Sequence, residues 1–378
     1  MAIKADDIDA LAALACEKKL DLTIVGPEAP LAAGIVDRFQ ALGLPVFGPT
    51  QAAARLESSK VFAKTLMERY SIPCAHGSSF SSFDSALKYL STQPLPVVVK
   101  ADGLAAGKGV TVAATIAEAE KALYEIMQSR LYGAAGDSVL IEECLVGREV
   151  SFLAVSDGHT VLPLAAACDY KRAYNGNTGP NTGGMGGYSP PRFLYPALST
   201  QIIDTIIKPT IAALAAEGTP YRGVLYAGLM ITADGPKVLE FNARLGDPET
   251  QVILPLLETD LVEIAAGVIE GRLEAGTVRL SGKASVGVVM ASCGYPGPYK
   301  TGFPIYGLDT LDGGTLVFHA GTRCDSQGQI VTTGGRVLSV VATGNSLADA
   351  RRRAYGRLEN INFEGGYYRR DIARFQGG

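Results

Sequence analysis

The run VLEFNARLGDPETQ (238–251) sets a carboxylate, an amide and a guanidinium at alternate positions. Residues two apart on a strand share a face, so Glu240 and Asn242 point the same way, and Arg244 joins them if the strand continues. One carboxylate and one amide oxygen are hard ligands of the kind magnesium takes when phosphates supply the rest. A planar guanidinium beside them suits a phosphate or carboxylate gripped by paired hydrogen bonds. The alternative is a strand end with a salt bridge, followed by a helix capped at Asp247.

A second chemical stretch is VVVKADGLAAGKGVTV (97–112). Two β-branched runs flank a loop of Gly, Ala and Lys. Gly103, Gly107 and Gly109 open backbone angles closed to other residues, and Lys100 and Lys108 add positive charge. Exposed amides beside ammonium groups suit a polyphosphate. The spacing excludes a Walker loop, which needs four residues between Gly and Gly-Lys and then Ser or Thr. Here three residues separate Gly103 from Gly107, Gly109 follows Lys108, and a strand follows the loop. A hairpin flap over phosphates fits, as does an ordinary glycine-rich turn. The third stretch is Ile141-Glu142-Glu143-Cys144-Leu145 with Glu149 beyond it. Acids ending a strand can bind amines or ribose hydroxyls, or simply face water.

The elements around these stretches alternate early and turn β-rich late. Residues 6–19 carry helical spacing, with Asp6 as a cap. A short buried strand ends at Val25, residues 31–42 read as helix, and 45–49 form another strand and turn. Such alternation predicts a parallel sheet, but two strands cannot make a stable doubly wound domain alone. Helix is expected over 51–70, after a cap near Ser82, and over 116–128, 199–216 and 249–270. Residues 138–158 read as two strands around a turn at Gly147. Residues 223–242 read as a hairpin with Ala233-Asp234-Gly235 at its tip. The segment 175–191, rich in Gly, Asn and Pro with no apolar period, is expected to be a functional loop. After Gly271 the pattern is mostly strands, with one helix over 346–358.

Composition narrows the class. The chain has 378 residues, 47% hydrophobic and 19% charged, and a net charge of −4. It is long enough for two or three globular domains. No basic run has the density or aromatic interleaving of a nucleic-acid site. No segment reaches the ~18 apolar residues of a membrane helix, and the N-terminus lacks a signal-peptide layout. The six cysteines form no C-x-x-C pair, which suggests reduced thiols in the cytoplasm. The three histidines have no zinc-ligand spacing.

Taken together, a Gly/Lys flap, an acidic segment and a Glu-x-Asn-x-Arg strand, in that order, resemble the ATP-grasp ligases. Within them the chain resembles the glycinamide ribonucleotide synthetases. The likeness rests on TIVGPEAPL (23–31), LESSK (56–60), VKADGLAAGKGV (99–110), GPNTGGMG (179–186), LYAGLM (225–230), EFNARLGDPE (240–249) and VFHAGT (317–322). It implies an α/β and α+β chain: an ATP-grasp fold with a truncated Rossmann-like N-terminal domain and a β-rich C-terminal domain. The expected domains are 1–56, 57–271 (with a flap subdomain about 75–145) and 272–378.

The resemblance further implies that Lys60 and Lys100 reach the ATP phosphates beneath a flap carrying Gly103, Gly107, Lys108 and Gly109. Glu142, Glu143 and Leu145 fall in the hinge whose backbone reads adenine, and Glu149 matches the ribose-binding acid. Glu240 and Asn242 match the pair for Mg²⁺ or Mn²⁺, and Arg244 the clamp on the γ-phosphate and the acyl phosphate. Glu28, Asp169, Lys171, Arg172, Asn181, Gly183, Gly184 and Met185, with Arg244, would face the substrates. The implied reaction joins glycine to 5-phosphoribosylamine through glycyl phosphate. It uses small-molecule partners only, without nucleic acid or membrane, in a cytoplasmic protein whose oligomeric state is left open, with a monomer favoured. The alternative is a shortened paralogue that binds ATP without ligase activity.

The sequence departs from the family pattern in several places. The usual first strand and its Gly-Arg-Glu-His loop are not in this sequence. Tyr170 stands where His is usual, Ala243 where Cys is common, and Leu245 where Phe is common. Tyr170 is expected to touch the substrate side most directly.

Overall fold

The structure is a computed structural model that describes residues 3–105, 109–309 and 314–375. The chain divides into two compact units, neither continuous in sequence. The first comprises Met1–Pro163, Tyr195–Leu245 and Asp260–Thr277. The second comprises Leu164–Leu194, Gly246–Thr259 and Val278–Gly378.

The first unit opens with the expected βα alternation. The helix Ile8–Lys18 is capped by Asp7 rather than Asp6: the Asp7 carboxylate accepts the Ala10 N–H. Strands Thr23–Ile24 and Val46–Phe47 form a parallel pair. Ile24 is 38% exposed, so the first strand is less buried than its apolar letters suggest. The helix expected over 31–42 is two helices, Glu28–Ala32 and Ile35–Ala41, because Gly34 takes a left-handed angle (φ 89°) between them. The helix expected over 51–70 is likewise split. Ser59 adopts extended angles between Gln51–Ser58 and Lys60–Arg69, and its hydroxyl caps the second helix by accepting the Phe62 N–H.

Two antiparallel four-stranded sheets follow in this unit. One orders Gly77–Phe80, Val139–Glu143, Val97–Ala101 and Val110–Ala113. Helices Phe83–Leu90 and Ile116–Leu123 belong to the same core, where Ala86, Leu90, Val97, Val99, Leu123 and Ile141 are buried. The second helix starts with a reciprocal Thr115–Glu118 capping box. The other sheet orders Gly235–Asn242, Arg222–Thr232, Arg148–Asp157 and Val161–Pro163. The strands on either side of Gly147 therefore belong to different sheets and make no hairpin. A Cβ on Gly147 would lie 2.2 Å from the Ile231 carbonyl oxygen, so the crossing between sheets needs glycine there.

In the second unit the main path of a sheet runs Thr315–His319, Arg336–Gly344, Ala284–Ser292, Gly186–Ser189 and Cys168–Asp169, with Gly366–Tyr367 pairing Ala284–Ser292. The helix Leu347–Leu358, capped by Ser346, packs on it. The segment expected to be a loop, 175–191, contains strands Thr178–Asn181 and Gly186–Ser189. Its apolar period is missing because glycine does the packing. A Cβ on Gly186 would meet the Gly287 carbonyl oxygen at 2.4 Å, and one on Gly187 the Cys168 oxygen at 2.9 Å. Among the described residues no helix is long and apolar enough to cross a membrane.

Candidate active site

The strand Gly235–Asn242 carries the first constellation. Its register against Arg222–Thr232 slips once: Gly228 faces Glu240 but Leu229 faces Val238, which leaves Leu239 as the extra residue of a bulge. Before the bulge Pro236 and Val238 are buried; after it Phe241 is buried and Glu240 is exposed. Glu240 and Asn242 thus share a face, as their spacing predicts, and the bulge turns that face outward. The Leu239 carbonyl, released from the ladder, accepts a hydrogen bond from Lys100 Nζ at 2.8 Å.

Lys100 is also held by a carboxylate. Its ammonium lies 2.6 Å from Glu142 Oε2, and the other Glu142 oxygen is 3.5 Å from Lys64 Nζ. Glu142 is only 5% exposed, so it neither faces water nor offers a free acid to an amine. Glu143 accepts the His76 N–H at 2.9 Å and lies 3.5 Å from Lys237 Nζ. Burial pushes the Glu143 carboxyl up, but the His76 amide and Lys237 together hold it below its usual value. Both side chains are committed to protein partners, so any nucleotide recognition by 142–145 falls to the backbone. Glu149 is exposed on its strand opposite Met230.

The loop after Lys100 does close a hairpin: Val97–Ala101 pairs antiparallel with Val110–Ala113, and the Gly109 carbonyl accepts the Ala101 N–H. Gly103 needs its left-handed angle (φ 124°) in a site where a Cβ would sit 2.9 Å from that of Ala135. Gly107 and Lys108 lie outside the described residues. Lys60 begins its helix and donates to the Gly103 carbonyl at 2.9 Å. Burial lowers its pKa, against the pull of Glu240. Asp102 completes the junction by accepting the Val61 N–H at 3.1 Å.

Arg244 does not ride on the strand, which ends at Asn242. Two acids hold it instead: Nε is 2.8 Å from Glu28 Oε2, and a terminal nitrogen is 3.2 Å from Glu57 Oε1. The second Glu57 oxygen accepts the Ala243 N–H at 2.7 Å. Burial pushes the Glu57 carboxyl up to about 7; Arg244 and the Ala243 amide oppose this, while Glu28 and Glu240 add to it. Spacing alone does not mark Glu57 or Asp102, although both lie inside the motifs LESSK and VKADGLAAGKGV. The signal was an acid next to a helix break, and an acid between a strand and a glycine. Ala243 is buried, which accounts for a small side chain there.

In the second unit Lys171 and Asp169 form a 3.4 Å ion pair, and Arg172 donates to the Gly179 carbonyl at 2.7 Å. Asn181 sits opposite Arg172 and is exposed. The glycine turn is fixed from outside. Arg336 donates to the Gly183 carbonyl at 2.6 Å and grips Asp247 through two nitrogens, at 3.1 and 2.9 Å. The Gly183 N–H reaches the Tyr295 hydroxyl at 3.0 Å. Gly184 (φ 105°) has no room for a side chain, since a Cβ would meet Pro248 at 2.4 Å.

Two expectations about this loop change. Met185 is fully buried, so its side chain packs in the core and cannot face a substrate. Tyr170 does not reach toward the substrate side either. Its hydroxyl accepts the Ala373 N–H at 3.0 Å, and the Arg369 guanidinium lies 4.8 Å from its ring centre. Arg369 is 1% exposed; it pairs with Asp371 and donates to the Arg172 carbonyl at 2.9 Å. Arg336, Tyr295 and Arg369 were missed because nothing local marks them.

These groups suit a nucleotide phosphate chain. Among the described residues no three His, Cys, Asp or Glu side chains gather as a metal site. Glu240 and Asn242 alone offer two oxygens on an open face, a donor set that fits Mg²⁺ when phosphates and waters supply the rest.

Comparison with known proteins agrees. The chain matches the models of the phosphoribosylglycinamide synthetase N domain over residues 1–57, ATP-grasp (A) domain over 58–250 and C domain over 285–375. It is 50% identical to a phosphoribosylamine–glycine ligase of Vibrio vulnificus, over 98% of this chain and 86% of that protein. It is 48% identical to the enzyme of the same name from Salmonella typhimurium, over 98% of this chain and 87% of that one. The crystal structure of phosphoribosylamine–glycine ligase from Thermotoga maritima superposes with a TM-score of 0.80 at 38% identity, covering 86% of this chain and 81% of that one. The biotin carboxylase domain of Hydrogenobacter thermophilus 2-oxoglutarate carboxylase, solved with MgADP and bicarbonate, shares the fold at 17% identity, covering 97% of this chain and 81% of that one (TM-score 0.76). The chain has the ATP-grasp fold and belongs to the phosphoribosylglycinamide synthetase family.

Proposed function

We propose that this chain is a carbon–nitrogen ligase that joins glycine to 5-phosphoribosylamine with ATP, giving glycinamide ribonucleotide, ADP and phosphate in purine biosynthesis. The observation that carries the reading is the open-face Glu240–Asn242 pair, in the same unit as Lys60, Lys100 and Arg244. Near-full-length identity to ligases of that name supports the choice of substrates.

Glycine carboxylate attacks the γ-phosphate, and ADP leaves. The phosphoribosylamine nitrogen then attacks the carbonyl of glycyl phosphate, and phosphate leaves. Lys60 and Lys100 would neutralise phosphate charge, and Arg244 would meet the transferring phosphoryl group. Glu240 and Asn242 would hold Mg²⁺ or Mn²⁺, which supplies Lewis-acid stabilisation of that group. The loop 103–109 would cover the site and keep water from the acyl phosphate. Asp169, Lys171, Arg172 and the 179–186 segment would bind the two acceptor substrates. The division into 1–56, 57–271 and 272–378 belongs to this reading, as do a cytoplasmic location and small-molecule partners, with a monomer favoured and the oligomeric state open.

The test is ADP release with and without glycine plus phosphoribosylamine. Release that requires both supports the ligase. Nucleotide binding with no substrate-dependent release points instead to a paralogue that holds ATP without ligating.

A further inference from the structure

We propose that Glu57 is the positioning residue that sets Arg244 against the metal-pair strand, an inference that rests on the reading above for the role of Arg244. One carboxylate makes two different contacts. Oε2 accepts the Ala243 N–H at 2.7 Å, and Oε1 lies 3.2 Å from the Arg244 guanidinium. The strand ladder has already ended at Asn242, so Glu57 supplies the next amide's partner. Residues 242, 243 and 244 are thereby fixed as one piece, with Arg244 held at a set offset from Asn242.

Glu57 is itself firmly placed. It lies in the last turn of Gln51–Ser58, two residues before the break at Ser59. Three residues on, Lys60 donates to the flap carbonyl of Gly103. The short run 57–60 thus anchors both the strand exit and the flap base.

The two acids on Arg244 differ. The Glu28 side chain is 33% exposed, whereas that of Glu57 is 8% exposed. A buried ion pair adds little to folding, because desolvation offsets the attraction. Glu57 shows this cost, since burial leaves it hard to ionise. Glutamine in its place keeps one oxygen for the Ala243 amide and turns an uncharged NH₂ donor toward Arg244, so that both the charge and the acceptor facing the guanidinium are lost. A carboxylate retained there fits placement of the guanidinium better than stability.

The test is Glu57→Gln beside Arg244→Lys and the double variant. Glu57→Gln is expected to lower kcat about 100-fold, the scale of a misplaced reacting group, with an unchanged KM for ATP and an unchanged thermal melt. The double variant should be no slower than Arg244→Lys, because the two residues act as a unit. Wild-type kcat in Glu57→Gln, or additive losses in the double variant, overturns the proposal. A second readout needs no activity: the guanidinium resonances of Arg244, assigned by their loss in Arg244→Lys, should shift and broaden in Glu57→Gln. Unchanged resonances would also overturn it. If the wild type shows no substrate-dependent ADP release, the ligase reading falls alone, and these resonances still decide the positioning. Should Glu57→Gln not fold, Glu57→Asp keeps the charge but is too short for both contacts; it is expected to lose about 10-fold in kcat, and wild-type turnover there refutes the idea.

Discussion

The first unit restrains its chemistry with acids, and the second with arginines. Around the Glu240–Asn242 face, the proposed metal pair, two of the cations proposed to meet phosphate are seated on buried or half-buried carboxylates: Lys100 on Glu142, Arg244 on Glu57 and Glu28. Around the glycine turn the surface is backbone, and cations from distant segments hold it: Arg336 on Gly183, Arg369 on Arg172. The difference follows from what each region presents. A side chain can be aimed by its counter-charge. A glycine segment has no side chain to aim, so only its carbonyls and amides can be held.

That contrast predicts different failures. In the first unit substitutions should cost turnover and spare the fold. Glu240→Ala is expected to reduce metal-dependent ADP release by roughly 10³-fold with an unchanged melt; full turnover would break the metal assignment. In the second unit a lost arginine should cost the fold. Arg369→Ala leaves Asp371 and the Arg172 carbonyl without their buried partner, at about 3–5 kcal/mol, measured by urea unfolding. A loss below about 1 kcal/mol would show that the C-terminal segment does not hold this region. Arg336→Lys keeps charge but cannot grip Asp247 through two nitrogens while holding Gly183. A rise of about 10-fold in KM for an acceptor substrate, with KM for ATP unchanged, is expected; equal rises in both would blur the distinction.

The smallest effect is a control away from both regions. Burial pushes the Asp157 carboxyl up, but the N–H groups of Thr160, His159 and Leu273 outweigh it and leave the pKa low. A depressed pKa stabilises the folded state above the unfolded value and is lost as pH falls through the folded one. Asp157→Asn should therefore cost about 1 kcal/mol at pH 7 and flatten the acid side of the stability curve, with kcat unchanged. A steep acid limb in the variant would remove Asp157 from that role.

The sequence made the flap hairpin, the Glu240–Asn242 face and most later strands readable, because each depends on neighbours a few residues apart. It hid what depends on distance. Arg336 finds Asp247 across 89 positions, and Arg369 finds the Arg172 carbonyl across 197. Local letters also misled where glycine replaced side-chain packing: strands at 178–181 and 186–189 looked like a loop, and Gly147 looked like a hairpin turn. Met185 sits in a polar, glycine-rich run but is a core residue. Ser59 splits two helices that apolar spacing alone would join.

The bulge at Leu239 gives the site an unusual genetic handle. Gly228 faces Glu240 and Leu229 faces Val238, so the pairs on either side would meet just as well without the residue between them. Removing that one codon would shorten the strand into a regular ladder with both pairs kept, and take away the carbonyl that seats Lys100. A deletion, ordinarily the harshest change a strand can suffer, would here act as gently as a point substitution, and on a lysine encoded 139 codons away.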